Sequence, residues 1–326
     1  MTLVRATDGT VNLHLWRHGE EYLTQKGPVF LKEWNNIIFA TIPGKPLPNT
    51  RYVDLSARPL QFADETFDSV YAYHVFEHLT LEEGVRLARE ILRVLRPGGN
   101  FRLSVPDLEE FCREYLTKLE IAWKDRTPTN VVRYQWAAMC IFEQMVRERE
   151  GGLMCEMVLR GEYDEAQLRQ HCLGDTLRGF LESAKSARRF TAEHATGNTR
   201  LRLSERLRSL TPGTFVRALF RRARELFGSW SSRPADPRVI KETVRWMYDR
   251  LSLRLLLESS GFTRIELATY MHSSIPDWSH YDFDRSIHGD YPIDPSVYIE
   301  GKKTPADQAG ERAVSGRERS EPATAP

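Results

Sequence analysis

The chain has 326 residues, enough to form the buried core of one large domain or of two. Basic and acidic side chains nearly balance at a formal net charge of +1, so no global positive field points to a nucleic-acid partner. The four cysteines show no CxxC spacing, which argues against zinc held by thiolates and favours reduced thiols. No apolar run reaches about 18 residues and the N-terminus lacks an apolar signal core, so we expect a cytoplasmic protein.

The first elements along the chain predict parallel strands. A strand at 11–15 runs into Trp16-Arg17-His18-Gly19, where a nucleotide-binding fold normally has a turn with several glycines. We place a second strand near 36–40 and a third at 51–55, with Asp54 close to its end. The apolar run at 67–73 is the fourth.

A helix is predicted after the fourth strand. Thr80 and Glu83 have the spacing of a capping box, and apolar residues follow at three- and four-residue steps. The residues expected on the buried face are Leu81, Val85, Ala88, Leu92 and Leu95. The Arg-Pro-Gly-Gly sequence at 96–99 ends the helix, and a strand at 101–105 follows. Strand, helix and strand at this spacing indicate a right-handed crossover in a parallel sheet.

The sheet pattern is then interrupted. The sequence at 108–240 is long, charged and mostly of helical period, which predicts a helical insertion or lid between the sheet parts 1–107 and 241–303. In the second part we predict a leucine-rich helix that Gly261 ends and strands at 263–270 and 295–300. The tail at 304–326 has almost no large apolar side chains, so we expect it to be disordered.

Two stretches carry a family resemblance: YVDLSARPLQFADETFDSVYAYHVFEHL and ILRVLRPGGNFRLSVPDLE. They resemble the class I S-adenosylmethionine-dependent methyltransferases, in particular the methyltransferase type 11 group often found near glycan-assembly enzymes. The resemblance implies an α/β fold with a Rossmann-like sheet of seven strands, the last antiparallel. It also implies S-adenosylmethionine as cofactor, bound at the carboxyl ends of the first strands.

The resemblance also implies roles for individual residues. Trp16, His18 and Gly19 take the place of the glycine-rich loop. Asp54 and Leu55 match the pair that flanks the adenine, where a carboxylate can accept a hydrogen bond from the exocyclic amine. Tyr73 and His74 match the end of the fourth strand, beside the methionyl group. Two features depart from the family pattern: the loop keeps one glycine, and no acid clearly follows the second strand to bind the ribose.

The sequence therefore favours methyl transfer to an oxygen or nitrogen of a small-molecule or glycan-type acceptor. His74 and His78 are the candidate bases, because imidazole titrates near working pH and their loop is expected to border the methyl group. The reduced glycine loop leaves a second hypothesis open, a methyltransferase-like scaffold protein that has lost catalysis.

The same loop reads His-x-x-Glu-His, the pattern of the inverted zinc peptidases. That chemistry needs both histidines on one helical face, whereas we expect His74 at a strand end and the next helix only after Thr80. Zinc hydrolysis is therefore a minor alternative, and no metal site is predicted.

An arginine-rich segment lies in the predicted insertion. Eight arginines and two glutamates at 200–230 give a local charge of +6, and apolar residues alternate with Arg217, Arg221 and Arg224 at helical steps. One interpretation is a helix on an anionic membrane surface at the inner face of the membrane. The other is a helix packed on the domain with a solvated arginine face.

Overall fold

The computed structural model describes residues 3–16, 32–39, 48–53, 60–146, 152–160, 163, 243–286, 292 and 295–305. The chain divides into two compact units, one formed by Met1–Arg113 with Val244–Pro326 and the other by Glu114–Thr243.

The first unit contains one sheet of seven strands. Their bounds are Asn12–Trp16 (β1), Trp34–Phe39 (β2), Thr50–Val53 (β3), Phe67–Tyr73 (β4), Leu95–Pro106 (β5), Thr263–Ala268 (β6) and Ser296–Lys302 (β7). The spatial order is β3-β2-β1-β4-β5-β7-β6, and β7 runs antiparallel to both of its neighbours. The first five strands are parallel. This topology confirms the predicted Rossmann-like sheet with an antiparallel last strand.

Seven helices occur in the described ranges. They are Leu81–Val94 (α1), Leu108–Lys124 (α2), Pro128–Ile141 (α3), Glu143–Val146 (α4), Gly152–Arg160 (α5), Arg250–Ser260 (α6) and Trp278–Tyr281 (α7). None of them is both long and apolar enough to cross a membrane.

Local signals set the ends of α1 and α6. The side chain of Thr80 accepts a hydrogen bond from the Glu83 backbone and the Glu83 carboxylate accepts one from the Thr80 backbone, which confirms the capping box. Helix α6 ends at Gly261, whose φ of +102° is the left-handed conformation that glycine adopts without steric cost. The predicted buried face of α1 was wrong at Leu81, which is 43% exposed, and at Leu95, which begins β5 instead of ending the helix. The sequence at 96–99 therefore lies within the strand.

Small residues of α1 allow this helix to pack close to the rest of the first unit. The buried residues of the helix are Gly84, Ala88, Ile91 and Val94. A Cβ on Gly84 would stand 3.1 Å from the Tyr248 hydroxyl, so this approach depends on glycine. The buried face of α1 thus depends on a close contact at a glycine, and the spacing of large apolar residues does not predict such a contact.

One face of the sheet is apolar. Its strands contribute residues such as Leu13, Val70, Leu103 and Ile299 to the main hydrophobic core. Buried residues of α1 and α6 complete this core. We call this side the helix face.

The opposite face carries a polar row. Neighbouring strands place Asn36, His14, Tyr71, Arg102 and Glu300 opposite one another in register. All are buried. The segment 269–286 contacts the row, because Arg102 donates to its backbone carbonyls and Trp278 lies over the guanidinium at 4.3 Å.

The described part of the second unit is helical. Within it, Glu143 is buried and its carboxylate accepts a hydrogen bond from the backbone of Leu153, near the start of α5. The arginine-rich segment at 200–230 and the tail from 306 onward lie outside the described residues, so the interpretations given for them remain predictions.

Candidate active site

The strand order of the sheet changes direction at β1. This strand pairs with β2 on one side and with β4 on the other, and its last residue, Trp16, lies opposite Tyr73 in register. In open α/β sheets, ligands bind in the crevice outside the carboxyl ends of the strands at such a switch point. The candidate site is therefore the edge where β1, β4 and β5 end.

The chain leaves β4 through a strained residue. His74 follows Tyr73 directly and adopts a φ of +49°, a left-handed conformation that is uncommon for residues other than glycine. Phe76–His78 then form a single 3-10 turn before Thr80 begins α1. Such strain costs on the order of 1–3 kcal/mol and persists where the surroundings fix it, often at functional sites.

Two polar side chains, one from β7 and one from the 3-10 turn, approach the ring of His74. The His74 Nε2 atom lies 2.9 Å from the hydroxyl oxygen of Ser296, the first residue of β7. Its other ring nitrogen, Nδ1, lies 3.5 Å from Glu77 Oε1. Because β7 is antiparallel, its start lies at the edge where β5 ends, and Ser296 pairs with Pro106. Chain segments 222 residues apart are thus joined at one edge of the sheet.

Glu77 lies at the centre of this cluster and is 2% exposed. The same oxygen, Oε1, lies 3.7 Å from His78 Nε2. The Glu77 backbone carbonyl accepts hydrogen bonds from the backbone N–H groups of Arg245 and Trp246, which fixes the 3-10 turn from behind. Burial, with a smaller contribution from the nearby Glu77, raises the pKa of Tyr248 well above its ordinary value, so this phenol stays neutral at working pH.

Asp107 is the acid that follows β5. Its carboxylate accepts hydrogen bonds from the backbone of Glu109 and Glu110 at the start of α2. Burial raises the pKa of Asp107, with smaller contributions from Glu109 and Asp249, against the lowering effect of the two backbone hydrogen bonds. This acid therefore stabilises the start of a helix and does not join the cluster at His74.

The structure brings together some of the predicted site residues. Tyr73, His74 and His78 lie at one edge, and the rings of Tyr73 and His74 stack with centroids 4.3 Å apart. For Trp16 the structure describes the backbone, at the end of β1. The others, His18, Gly19, Asp54 and Leu55, lie outside the described residues. Their assignment to the cofactor remains a prediction.

Sequence reasoning missed two members of the cluster. The sequence draws attention to Glu77 only through the zinc motif, and to Ser296 only as part of the strand at 295–300. The antiparallel last strand implied by the resemblance could have pointed to Ser296, because its first residue must lie beside the carboxyl ends of the parallel strands.

The same geometry bears on the His-x-x-Glu-His pattern. Both histidines lie near one oxygen of the carboxylate between them, and they belong to a loop and a 3-10 turn. Zinc peptidases of this pattern present two imidazoles from one face of a longer helix. The arrangement here places the Glu77 carboxylate between the two imidazoles, at ion-pair distance from each.

Comparisons with known proteins identify one region of the chain. Residues 36–103 match the family model described as a methyltransferase domain. No significant match occurs among curated protein sequences. This matched region contains β4, α1 and the loop with His74, Glu77 and His78.

Solved structures of similar shape include two S-adenosylmethionine-dependent methyltransferases. The protein from Methanosarcina mazei is 10% identical, with 90% of this chain and 92% of that chain covered at a TM-score of 0.35. The protein from Thermotoga maritima is 10% identical, with 90% and 83% covered at a TM-score of 0.35. These likenesses are distant, and the fold is identified by the domain match at 36–103 and by the strand order of the sheet.

Proposed function

We propose that this class I S-adenosylmethionine-dependent methyltransferase transfers the methyl group to an oxygen or nitrogen of a small-molecule or glycan-type acceptor. The observation that carries the choice of acceptor atom is the cluster of His74, Glu77 and Ser296 at the carboxyl edge of the sheet. A group that accepts a proton is useful where the nucleophile is a protonated oxygen or nitrogen.

The described residues fit the cofactor. S-adenosylmethionine is a nucleoside derivative, and the switch point between β1 and β4 is the crevice in which such ligands bind in open α/β sheets. Tyr73 and the backbone at the end of β1 would border it, and Asp54 is proposed to accept from the adenine amine. When bound, the cofactor supplies an electrophilic methyl group on a positively charged sulfur.

The residues of this chain contribute alignment and proton transfer. Aligning the acceptor atom with the methyl group in a site that excludes water supplies most of the rate in such a displacement. His74 is 8% exposed, so it is largely shielded from solvent while it remains at the edge of the site. We propose His74 as the base, with His78 on the far side of Glu77.

Cofactor binding by itself tests the first part of the proposal. We expect calorimetry to show S-adenosylmethionine binding that weakens about tenfold or more in Asp54→Ala, because a charge-assisted hydrogen bond contributes roughly 1.5–3 kcal/mol. Asp64→Ala is the matched control, since Asp64 is exposed and pairs with Arg93. The proposal fails if the wild type shows neither heat nor a thermal shift at millimolar ligand. Unchanged binding in Asp54→Ala would refute only the role of Asp54.

A panel of acceptors tests the second part. Radiolabelled methyl transfer from S-adenosylmethionine is measured to methyl glycosides, hexosamines and small primary amines. We expect a labelled product with at least one hydroxyl or amino compound. Cofactor binding without transfer to any compound of the panel would count against this acceptor class and favour a binding role.

We also propose that the arginine-rich segment contacts an anionic membrane surface. The local charge of +6 at 200–230 supports this partner. Co-sedimentation with vesicles is expected to require anionic lipid and to weaken as salt rises, because salt screens exposed charges. Replacing Arg217, Arg221 and Arg224 together by glutamine would then release the protein. Equal binding to neutral vesicles, or none at low salt, would contradict the proposal.

A further inference from the structure

We propose that Ser296, His74 and Glu77 form a proton relay and that the acceptor atom is therefore a hydroxyl oxygen. The inference rests on the methyl transfer proposed above and goes further, because it names the group that touches the acceptor and the class of acceptor. In this relay Ser296 faces the acceptor, His74 receives the proton, and Glu77 positions His74.

The three side chains differ in how far they are exposed to solvent. Ser296 is partly exposed, His74 is buried at 8% exposure and Glu77 is buried at 2%. Exposure therefore decreases from Ser296 through His74 to Glu77. A substrate can reach Ser296 directly, whereas the imidazole nitrogen that could take its proton already lies 2.9 Å from the Ser296 hydroxyl.

The two ring nitrogens of His74 face different partners. A neutral imidazole has one nitrogen that donates and one that accepts. The carboxylate of Glu77 faces Nδ1 at 3.5 Å, which favours the proton on Nδ1. Nε2 is then the acceptor and lies at hydrogen-bond distance from the Ser296 hydroxyl, which can donate to it. When His74 takes up a second proton, the carboxylate stabilises the imidazolium.

The surroundings of His74 fit this role. The backbone N–H of His74 donates to the Ser104 carbonyl, and the ring stacks on Tyr73. Within the described part of the chain, Tyr73 and Glu77 face the ring, and His78 and Tyr248 lie beyond Glu77. Glu77 is the acid of this described set. The left-handed backbone at His74 holds the imidazole between strand β7 and the 3-10 turn.

The proposed step moves one methyl group to the acceptor and one proton to His74. The acceptor hydroxyl gives its proton to Ser296 Oγ as Ser296 gives its own proton to His74 Nε2. The acceptor oxygen forms its bond to the methyl carbon, and the electron pair of the broken carbon–sulfur bond stays on sulfur. The positive charge lost at sulfur equals the charge gained by the imidazole, which later releases the proton to solvent. A neutral amine needs no proton removal before it attacks, so a relay of this kind is useful for a hydroxyl.

The first experiment measures the imidazole of His74 in the cofactor-free protein. Nitrogen-15 NMR of the ring reports which nitrogen carries the proton and at what pH the second proton binds. We expect the wild type to carry its proton on Nδ1. In Ser296→Ala the Nε2 resonance shifts, and in Glu77→Gln the imidazolium forms at lower pH. Ser296→Thr keeps a hydroxyl and retains the wild-type resonance. Ser259→Ala is a control, since the Ser259 hydroxyl bonds a carbonyl within α6.

The second experiment compares acceptor classes. We expect Ser296→Ala to lower kcat about 100-fold for a methyl glycoside, with KM little changed, and to lower it far less for an aromatic amine, whose nitrogen is already neutral at pH 7. Ser296→Thr recovers most of the loss. In Glu77→Gln the acidic limb of the kcat profile moves to lower pH, which a purely structural role for this carboxylate would not cause.

The outcomes separate the relay from the proposed function. Wild-type kcat for the glycoside in Ser296→Ala, or an equal loss for glycoside and amine, overturns the relay while methyl transfer stands. If the wild type binds no cofactor, the proposed function fails, and the NMR measurement still decides whether the three side chains are coupled. An unchanged His74 resonance in both Ser296→Ala and Glu77→Gln overturns the relay under any outcome of the kinetics.

Discussion

The two faces of the sheet are held by different forces. On the helix face, apolar side chains of the strands pack against α1 and α6, where burial of apolar surface is non-directional. On the other face, Arg102 donates to Asp284, Glu300 and the backbone carbonyls of residues 269 and 272, and Tyr71 also hydrogen-bonds Asp284. The helix face can tolerate small adjustments of shape, whereas the polar face depends on each charge having its partner.

The two faces of the sheet also differ in how their stability depends on pH. Burial lowers the pKa of His14 to about 3, against a small raising effect of its hydrogen bond with Asn36, so the imidazole is neutral in the folded protein. Burial alone would raise the pKa of Glu300, but Arg102 and the hydrogen bonds of Ser273 and Ser274 lower it overall. Among the described core residues of the helix face the titratable side chain is that of Tyr248, a phenol whose pKa is raised and which stays neutral in acid. Acid should therefore weaken the polar face selectively.

The largest effect is expected from Arg102→Met. Removing the guanidinium leaves Asp284 and Glu300 as buried acids without their cation, which costs about 3–5 kcal/mol of the free energy of unfolding. Urea denaturation measures this loss, and Arg86→Met, in an exposed ion pair, is expected to change it by less than about 0.5 kcal/mol. Replacing Asp284 by Asn and Glu300 by Gln in the same variant should recover much of the stability. A loss of under 1 kcal/mol for Arg102→Met would show that the polar face does not depend on this cation.

Leu103→Ala is the matched change on the helix face. Leu103 is the next residue along β5 and is fully buried on the opposite side. Its truncation should cost about 3 kcal/mol through lost burial and a residual cavity. We expect this cost to be the same at pH 7 and pH 5, because no titratable group is removed. A cost that changes by more than 1 kcal/mol between the two pH values would contradict the claim that only the polar face depends on pH.

His14 gives the smallest and most specific effect. Its pKa is lower in the folded than in the unfolded protein, so the unfolded state binds the proton first and stability falls as pH decreases below about 6.5. Between pH 7 and pH 5 this costs the wild type about 2 kcal/mol. We expect His14→Gln to lose that dependence, while His280→Gln, at an exposed position, keeps it. The same pH dependence in both variants would contradict a neutral buried His14.

Local sequence predicted much of the helix face. The bounds of β4 were predicted without error, and the capping box at Thr80 and the helix end at Gly261 are confirmed. Each of these features depends on residues only a few positions apart, so a short stretch of sequence is enough to predict it. The error at Leu81 arose because large apolar residues outweighed Gly84, whose missing side chain permits the close approach.

The polar face and the relay could not be predicted in the same way. Arg102 alternates with Phe101 and Leu103, a pattern that normally indicates a strand with one solvent-exposed face. It is buried because a segment at 269–286 covers it, and nothing near Arg102 in the sequence indicates that segment. Ser296 likewise meets His74 only through the topology of the sheet.

The polar row has a consequence for the order of folding events. Strand β4, helix α1 and strand β5 follow one another directly, whereas the partners of Arg102 are 167–198 residues away in the chain. Closing such long loops costs conformational entropy before the contacts form and offset that cost. The Arg102 contacts should therefore form after the rate-limiting step of folding. In that case Arg102→Met would accelerate unfolding with little effect on the folding rate, and Leu103→Ala would slow folding. The two limbs of a chevron plot measure this, and a slower folding limb in Arg102→Met would place the charged face in the folding nucleus.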